Sequence, residues 1–204
     1  MKSRRRSRFW ILAVLAAALG AASAFVGCDD PPSDTSDRVR LPDPDDAIDE
    51  PLMYALALAK NFHHEAQVYM ADGKPDEAIA AVEKILQVRF PDGAAEGEDV
   101  RLDAYAKLGK LHLAQGNREE AMKWVQRGLD AATRDSFFRA NLHTVRGEIL
   151  HADADALAAT GDTDDIKAKV TALRKEAIMA FEASNAIVVP LQERLYQQAK
   201  DRQP

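Results

Sequence analysis

From Pro51 to the C-terminus apolar residues recur at spacings of three and four, and no stretch alternates apolar with polar side chains. A period near 3.6 puts such residues on one face of a helix, whereas a half-buried strand needs a period of two. An all-α chain is therefore expected. A longer period is superposed on the short one. With Leu102 as position 1 of a 34-residue unit, Tyr105, Leu108, Gly109 and His112 fall at positions 4, 7, 8 and 11, Gly116 at 15, Ala121 at 20 and Val125 at 24. Counting from Ala59 puts Phe62, Ala66, Tyr69, Gly73, Ala78 and Val82 at positions 4, 8, 11, 15, 20 and 24. Small residues at positions 8 and 20 let two helices cross closely, larger ones fill the space around them, and the glycine marks the turn.

Local signals agree with this division. Pro75 suits a first helical position, and Asp76 and Glu77 suit the positive end of the helix dipole. Asn117 is placed to cap the helix after the second turn, with Glu120 three residues on completing a capping-box-like arrangement. Phe90-Pro91 closes the first unit, and the acidic insert Gly93 to Arg101 is expected to be a surface loop.

The spacing, together with the run GKPDEAIAAVEKIL, resembles the tetratricopeptide repeat (TPR). The resemblance implies a right-handed α-solenoid of about three helical hairpins within residues 51–204, with repeats near 59–92, 102–135 and 140–187. The third unit departs from the pattern. Gly147 stands at position 8, but the turn is delayed to Thr160-Gly161-Asp162 and the matching alanine is Ala177, so eighteen residues have been added across two arms. Phe138, Leu142, Val145, Ile149, Ala152, Ala156 and Ala159 form one four-three stripe, and Ile166, Val170, Leu173, Ala177, Ala180, Ser184 and Ile187 form another. Two such stripes joined by a short turn predict an elongated antiparallel hairpin packed like a coiled coil. Pro190 is expected to start a short capping helix over residues 190–200.

By position, the resemblance implies a concave groove lined by Lys60, His63, Gln67 and Met70 from the first unit, Asp103, Lys110 and Leu113 from the second, and Asn141, Thr144, Glu148 and His151 from the third. Such grooves receive a peptide or a partner helix. Members of the family that grip a C-terminal carboxylate use lysine, asparagine and arginine at set positions. Here His63, Gln67, Lys107, Asn141 and Val145 stand there, so that clamp is mostly missing and is not expected.

No catalytic constellation is read from the chain, and neither enzyme activity nor a cofactor is expected. His63 and His64 are adjacent, so on a helix they point about 100° apart, and Gln67 replaces the histidine that an i, i+4 zinc pair would need. Metal binding is therefore not expected. His112 takes a packing position as a satisfied interior or boundary histidine, and Trp124 is expected to fill space between hairpins. Glu119-Glu120 and Asp164-Asp165 are expected at helix starts, where the dipole accounts for them.

The N-terminal region has a different character. Met1 to Arg8 has five basic residues and no acid, Phe9 to Val26 is apolar apart from Gly20 and Ser23, and Gly27 precedes Cys28, the chain's one cysteine. This resembles the signal peptide of a bacterial lipoprotein, which implies cleavage after residue 27 and lipidation of Cys28. An uncleaved membrane anchor is the alternative and gives the same topology, because basic flanks stay inside. Residues 29–50 carry nine acids and four prolines and are expected to form a disordered tether after Cys28. From Cys28 onward 33 acidic side chains face 22 basic ones, a formal charge of −11 that argues against nucleic-acid binding.

Together these readings predict a cell-envelope lipoprotein that faces the periplasm or the cell surface. Its TPR-like domain would act as an interaction scaffold or adaptor for an envelope protein or peptide. A structural subunit or assembly factor of a secretion, pilus or outer-membrane machine is the alternative, and a cell-wall hydrolase a more distant one. Which membrane holds the anchor stays open.

Overall fold

The computed structural model describes residues 49–202, which form six helices and no strand. Residues 1–27 and Cys28, with the targeting and lipidation expectations that concern them, lie outside the described residues. The helices are α1 (Glu50–Ala71), α2 (Pro75–Leu86), α3 (Ala95–Ala114), α4 (Arg118–Ala131), α5 (Phe137–Ala158) and α6 (Asp164–Asp201). Successive pairs form three antiparallel hairpins, with α3 lying on α2 and α5 lying on both α3 and α4. Among the described residues no helix is long and apolar enough to cross a membrane.

The first two turns are built alike. Gly73 and Gly116 sit at φ of 71° and 80°, a conformation that costs other residues their Cβ clearance. Lys74 donates its N–H to the Tyr69 carbonyl and Gly73 donates to Met70, and Asn117 and Gly116 repeat the pair on His112 and Leu113. Each is a Schellman turn that satisfies the last free carbonyls of the preceding helix. Pro75 opens α2 with Asp76 and Glu77 in its first turn, and Glu119 and Glu120 open α4.

Hairpin closure depends on the small residues. Gly109, Ala121 and Val125 are buried together, and a Cβ on Gly109 would lie 2.7 Å from Val125 Cγ2. Ala66 and Ala78 do the same service between α1 and α2, where Phe62, Tyr69, Val82, Ile85 and Leu108 complete the first core cluster. Trp124 reaches from α4 onto this cluster and so bridges the first two hairpins. The second cluster joins α3, α4 and α5 through Leu102, Ala106, Ala121, Val125, Leu142, Val145 and Ile149, with Tyr105 packed at its side.

Four local expectations need correction. Of residues 93–101 only Gly93 and Ala94 lie outside a helix, because α3 begins at Ala95. The added turns are tied to the segment after α4: Arg134 Nη2 lies 2.7 Å from Asp99 Oδ2, and Glu98 accepts from the Thr133 amide at 3.0 Å. Gly97 is buried against the Phe90 ring, so the insert is packed on the body of the domain. Second, Asp49 and Glu50, expected at the end of the tether, belong to the start of α1, which Asp49 caps by accepting from the Leu52 amide at 3.0 Å; the rest of the tether expectation, residues 29–48, lies outside the described residues. Third, Asn117 occupies the N-cap position of α4, but its side chain turns to Gln115 Oε1 at 3.2 Å and Glu120 pairs with Lys123. Fourth, Pro190 does not start a capping helix but lies inside α6, which continues to Asp201. Proline removes one backbone donor, and at this exposed site water can take the freed carbonyl.

The long hairpin also packs differently from the expected coiled coil. Leu142, Val145 and Ile149 face the middle hairpin, and Phe138 is exposed. The face of α5 that meets α6 is another stripe: Thr144 against Ser184, Gly147 against Phe181, and Leu150 clustered with Ala177 and Ala180. A Cβ on Gly147 would lie 2.6 Å from Phe181 Cε1. Thus α5 is buried on two sides, while α6 packs through the expected stripe that includes Val170, Ala177, Ala180 and Ser184.

Candidate functional site

The first helices of the hairpins, α1, α3 and α5, carry the residues expected to line a groove. Of the neighbouring helix pairs, α1 and α3 approach each other least, because α2 lies between much of their surfaces. Where they face each other they leave a hollow of about 270 Å³. Ala66, Met70, Val82 and Leu111 make its floor apolar, and His63, Gln67, Lys107 and Lys110 form its rim.

The upper edge of this hollow is a three-residue network. Lys107 Nζ donates to His63 Nδ1 at 2.8 Å, His63 Nε2 lies 3.3 Å from Asp103 Oδ2, and Lys107 also reaches that carboxylate oxygen at 3.1 Å. An ammonium group has no acceptor, so Nδ1 must carry the lone pair and Nε2 the proton that points at Asp103. The assignment fits the electrostatics. Burial pushes the His63 pKa below its ordinary value, the Lys107 charge pushes the same way, and both together outweigh the pull of Asp103. His63 is therefore a neutral imidazole locked between two helices. His64, one residue on, is exposed, with Nδ1 3.4 Å from Gln67 Oε1.

Lys110 and Glu148 extend the rim toward α5, their charged atoms 3.9 Å apart. Both are accessible, so this pair is readily exchanged for a ligand contact. Lys60 is exposed on α1, and Asn141 is half-buried on α5. Three of the expected groove residues point elsewhere. Leu113 packs against the second core cluster. Thr144 turns from the groove to Ser184, with 3.0 Å between hydroxyls, because α6 occupies that side of α5. His151 is exposed and bonded to Asp155 at 3.0 Å, and Arg174 of α6 meets the same carboxylate. The groove is thus centred on α1 and α3 and fades at α5.

Two residues of the site escaped the positional reading. Lys107 was visible only as a place in an absent clamp, yet it is the cation that orders His63. Leu111 falls at a position with no groove role in the repeat, and supplies part of the floor. His112 is half-buried as expected, but its Nδ1 is buried without a partner, as is Trp124 Nε1. Among the described residues no three His, Cys, Asp or Glu side chains gather closely enough to hold a metal ion.

What the arrangement can do is hold an apolar side chain beside two lysines. The hollow lies just under the size range of small-molecule pockets, which begins at roughly 300 Å³, and its floor offers no hydrogen-bonding group. The family model for the tetratricopeptide repeat matches residues 69–140, from the end of α1 to the first turn of α5. No curated protein and no solved structure matches the chain. The matched segment contains α2, α3, α4 and both Schellman turns, and the six helices form an all-α, TPR-like solenoid.

Proposed function

We propose that this chain is a membrane-anchored cell-envelope lipoprotein whose helical domain serves as a scaffold or adaptor, seating a protein partner along α1 and α3. Tetratricopeptide repeats generally mediate protein–protein interaction, and the match over residues 69–140 supports that role here. The observation that carries the reading is the open seam between α1 and α3, an apolar floor with Lys107 and Lys110 at its edge. A partner segment that places a Leu, Met or Phe in the hollow and a carboxylate beside Lys110 satisfies both features. The anchor rests on the N-terminal sequence alone, the basic start, the apolar run and the cysteine after Gly27.

Two experiments test the halves separately. A photoreactive amino acid placed at Gln67 in the full chain should give a discrete adduct in membranes, and Met70→Asp with Lys110→Glu should abolish it. The same group at Asp130, on the exposed side of α4, should give none. If adducts form equally at both positions or survive the double substitution, the groove is not the docking surface. For the anchor, Cys28→Ser should block acyl labelling and leave the precursor uncut. Unchanged mobility and no label on the parent chain would instead mean an uncleaved anchor.

A further inference from the structure

The outer face of α6 is covered by no other described helix, since α6 packs only on α5. Along this face runs a second four-three stripe: Ala168, Ala172, Lys175, Met179, Glu182, Ala186, Val189, Glu193, Tyr196 and Lys200, all exposed. Met179, Val189 and Tyr196 are 57%, 51% and 70% accessible, so large apolar groups stand in water on a helix of 38 residues. The four-three spacing is that of a coiled-coil seam, here with Met179, Val189 and Tyr196 as its large apolar positions and Lys175, Glu182, Glu193 and Lys200 as charged ones.

The order of residues along the stripe identifies the occupant. Laid antiparallel against itself about a two-fold axis level with Ser184, the stripe is complementary at three layers, and the layer nearest the axis sets Glu182 against an alanine. Ala172 faces the partner's Tyr196, the smallest side chain against the largest. Lys175 faces the partner's Glu193, opposite charges. Met179 faces the partner's Val189, and Glu182 faces the partner's Ala186. Every layer joins an a position with a d position, the pairing that antiparallel helices require. By two-fold symmetry each contact occurs twice. The continuity of α6 through Pro190 is essential, because it brings Val189, Glu193 and Tyr196 onto the same helix as Met179, Lys175 and Ala172.

We infer that the chain forms an antiparallel homodimer through the outer face of α6, with Lys175–Glu193 pairs setting the register. The dimer would display two α1–α3 grooves on one body. The inference does not depend on what those grooves bind.

Disulfide trapping on the full chain in membranes tests it. Two differently tagged copies are co-expressed, one with Met179→Cys and the other with Val189→Cys, beside the unsubstituted chain as the baseline for Cys28. Facing a and d positions bring Cβ atoms within disulfide reach, so a mixed-tag dimer should form on mild oxidation. Either cysteine with itself would be about 15 Å apart along the axis, ten residues at 1.5 Å each, and should give baseline. Lys175→Glu should lower the mixed yield about tenfold by setting like charges opposite one another. Adding Glu193→Lys to both copies should restore it. Baseline yield from the mixed pair, equal linking by Met179→Cys alone, linkage to another protein instead, or no rescue by the double charge swap would each overturn the dimer. Circular dichroism of every variant separates loss of pairing from loss of fold.

Discussion

Gly109 and Val125 meet so closely that a Cβ at position 109 would fall 2.7 Å from Val125 Cγ2, with Val145 Cγ1 only 3.3 Å away. Val125 and Val145 are themselves fully buried and cannot retreat toward water. Gly109→Ala is therefore an overpacking change in spite of its better helix propensity, and the expected cost is about 1–3 kcal/mol. Urea unfolding should show it as a lowered midpoint with an unchanged slope. Val125→Ala opens room at the contact, so the two changes together should cost less than the sum of the singles. Strict additivity would mean that Gly109 is small for another reason.

The Thr144–Ser184 hydrogen bond makes a different prediction. The hydroxyls lie 3.0 Å apart across the α5–α6 contact, and Ser184 is buried. Thr144→Val strands the Ser184 hydroxyl and should cost roughly 1–2 kcal/mol, whereas Ser184→Ala leaves Thr144 its bond to the Ala140 carbonyl at 3.3 Å and should cost less. The double variant should be closer to the parent than the two losses together imply. A double-mutant cycle with no coupling would show that water already satisfies both hydroxyls.

These two contacts show what the sequence could and could not reveal. Gly109, Ala121, Gly116 and Gly73 were legible because a turn or a helix crossing tolerates few residue types, and the 34-residue period repeats that demand. The packing partner of a stripe was not legible. Leu142, Val145 and Ile149 have the spacing of a seam, but spacing gives a face and not its neighbour, and their neighbour proved to be the middle hairpin. The true contact with α6 uses Thr144, Gly147 and Leu150, whose chemistry is too mixed to read as a stripe. Gly93 to Arg101 read as a loop because it is an acidic insert that the standard repeat lacks. Its Glu96 and Glu98 instead stand in the first turn of α3, where the dipole favours them, and contacts with Phe90, Thr133 and Arg134 pack the added turns on the domain. Within the groove, Lys107 was hidden because its importance comes from a histidine 44 positions away.

The added turns of α3 should be the least stable part of the second hairpin. They are held by Arg134, which reaches Asp99 at 2.7 Å and the Ala95 carbonyl at 3.1 Å. Both charged groups are partly accessible, so Arg134→Met should lower global stability by less than about 1 kcal/mol. Local opening is a separate quantity. Amide exchange at residues 97–100 should accelerate several-fold while the amides of residues 106–112 stay protected. Uniform acceleration would show that Arg134 supports the whole domain.

Acid should weaken the fold through two histidines. Burial lowers the His63 pKa, aided by Lys107, and burial lowers that of His143, aided by Arg139 and Arg146. In the unfolded chain each takes up a proton near its ordinary pKa of 6.5. Above that pH neither state is protonated and the full stability is present. As pH falls below it, the unfolded state binds protons that the folded state resists, so stability declines until the folded pKa values are passed. Between about pH 7.5 and about pH 5.5 the parent should therefore lose more stability than His63→Gln or His143→Gln, and the double variant should lose least. His63→Gln keeps a side-chain donor for Asp103, which limits its cost at neutral pH. Protonating His63 also removes the lone pair that Lys107 uses, so acid should break the Lys107–His63 bond and leave the lysine held by Asp103 alone. An unchanged pH dependence in both variants would show that the imidazoles titrate alike in the two states, and that the Lys107–His63 bond does not hold the ring neutral.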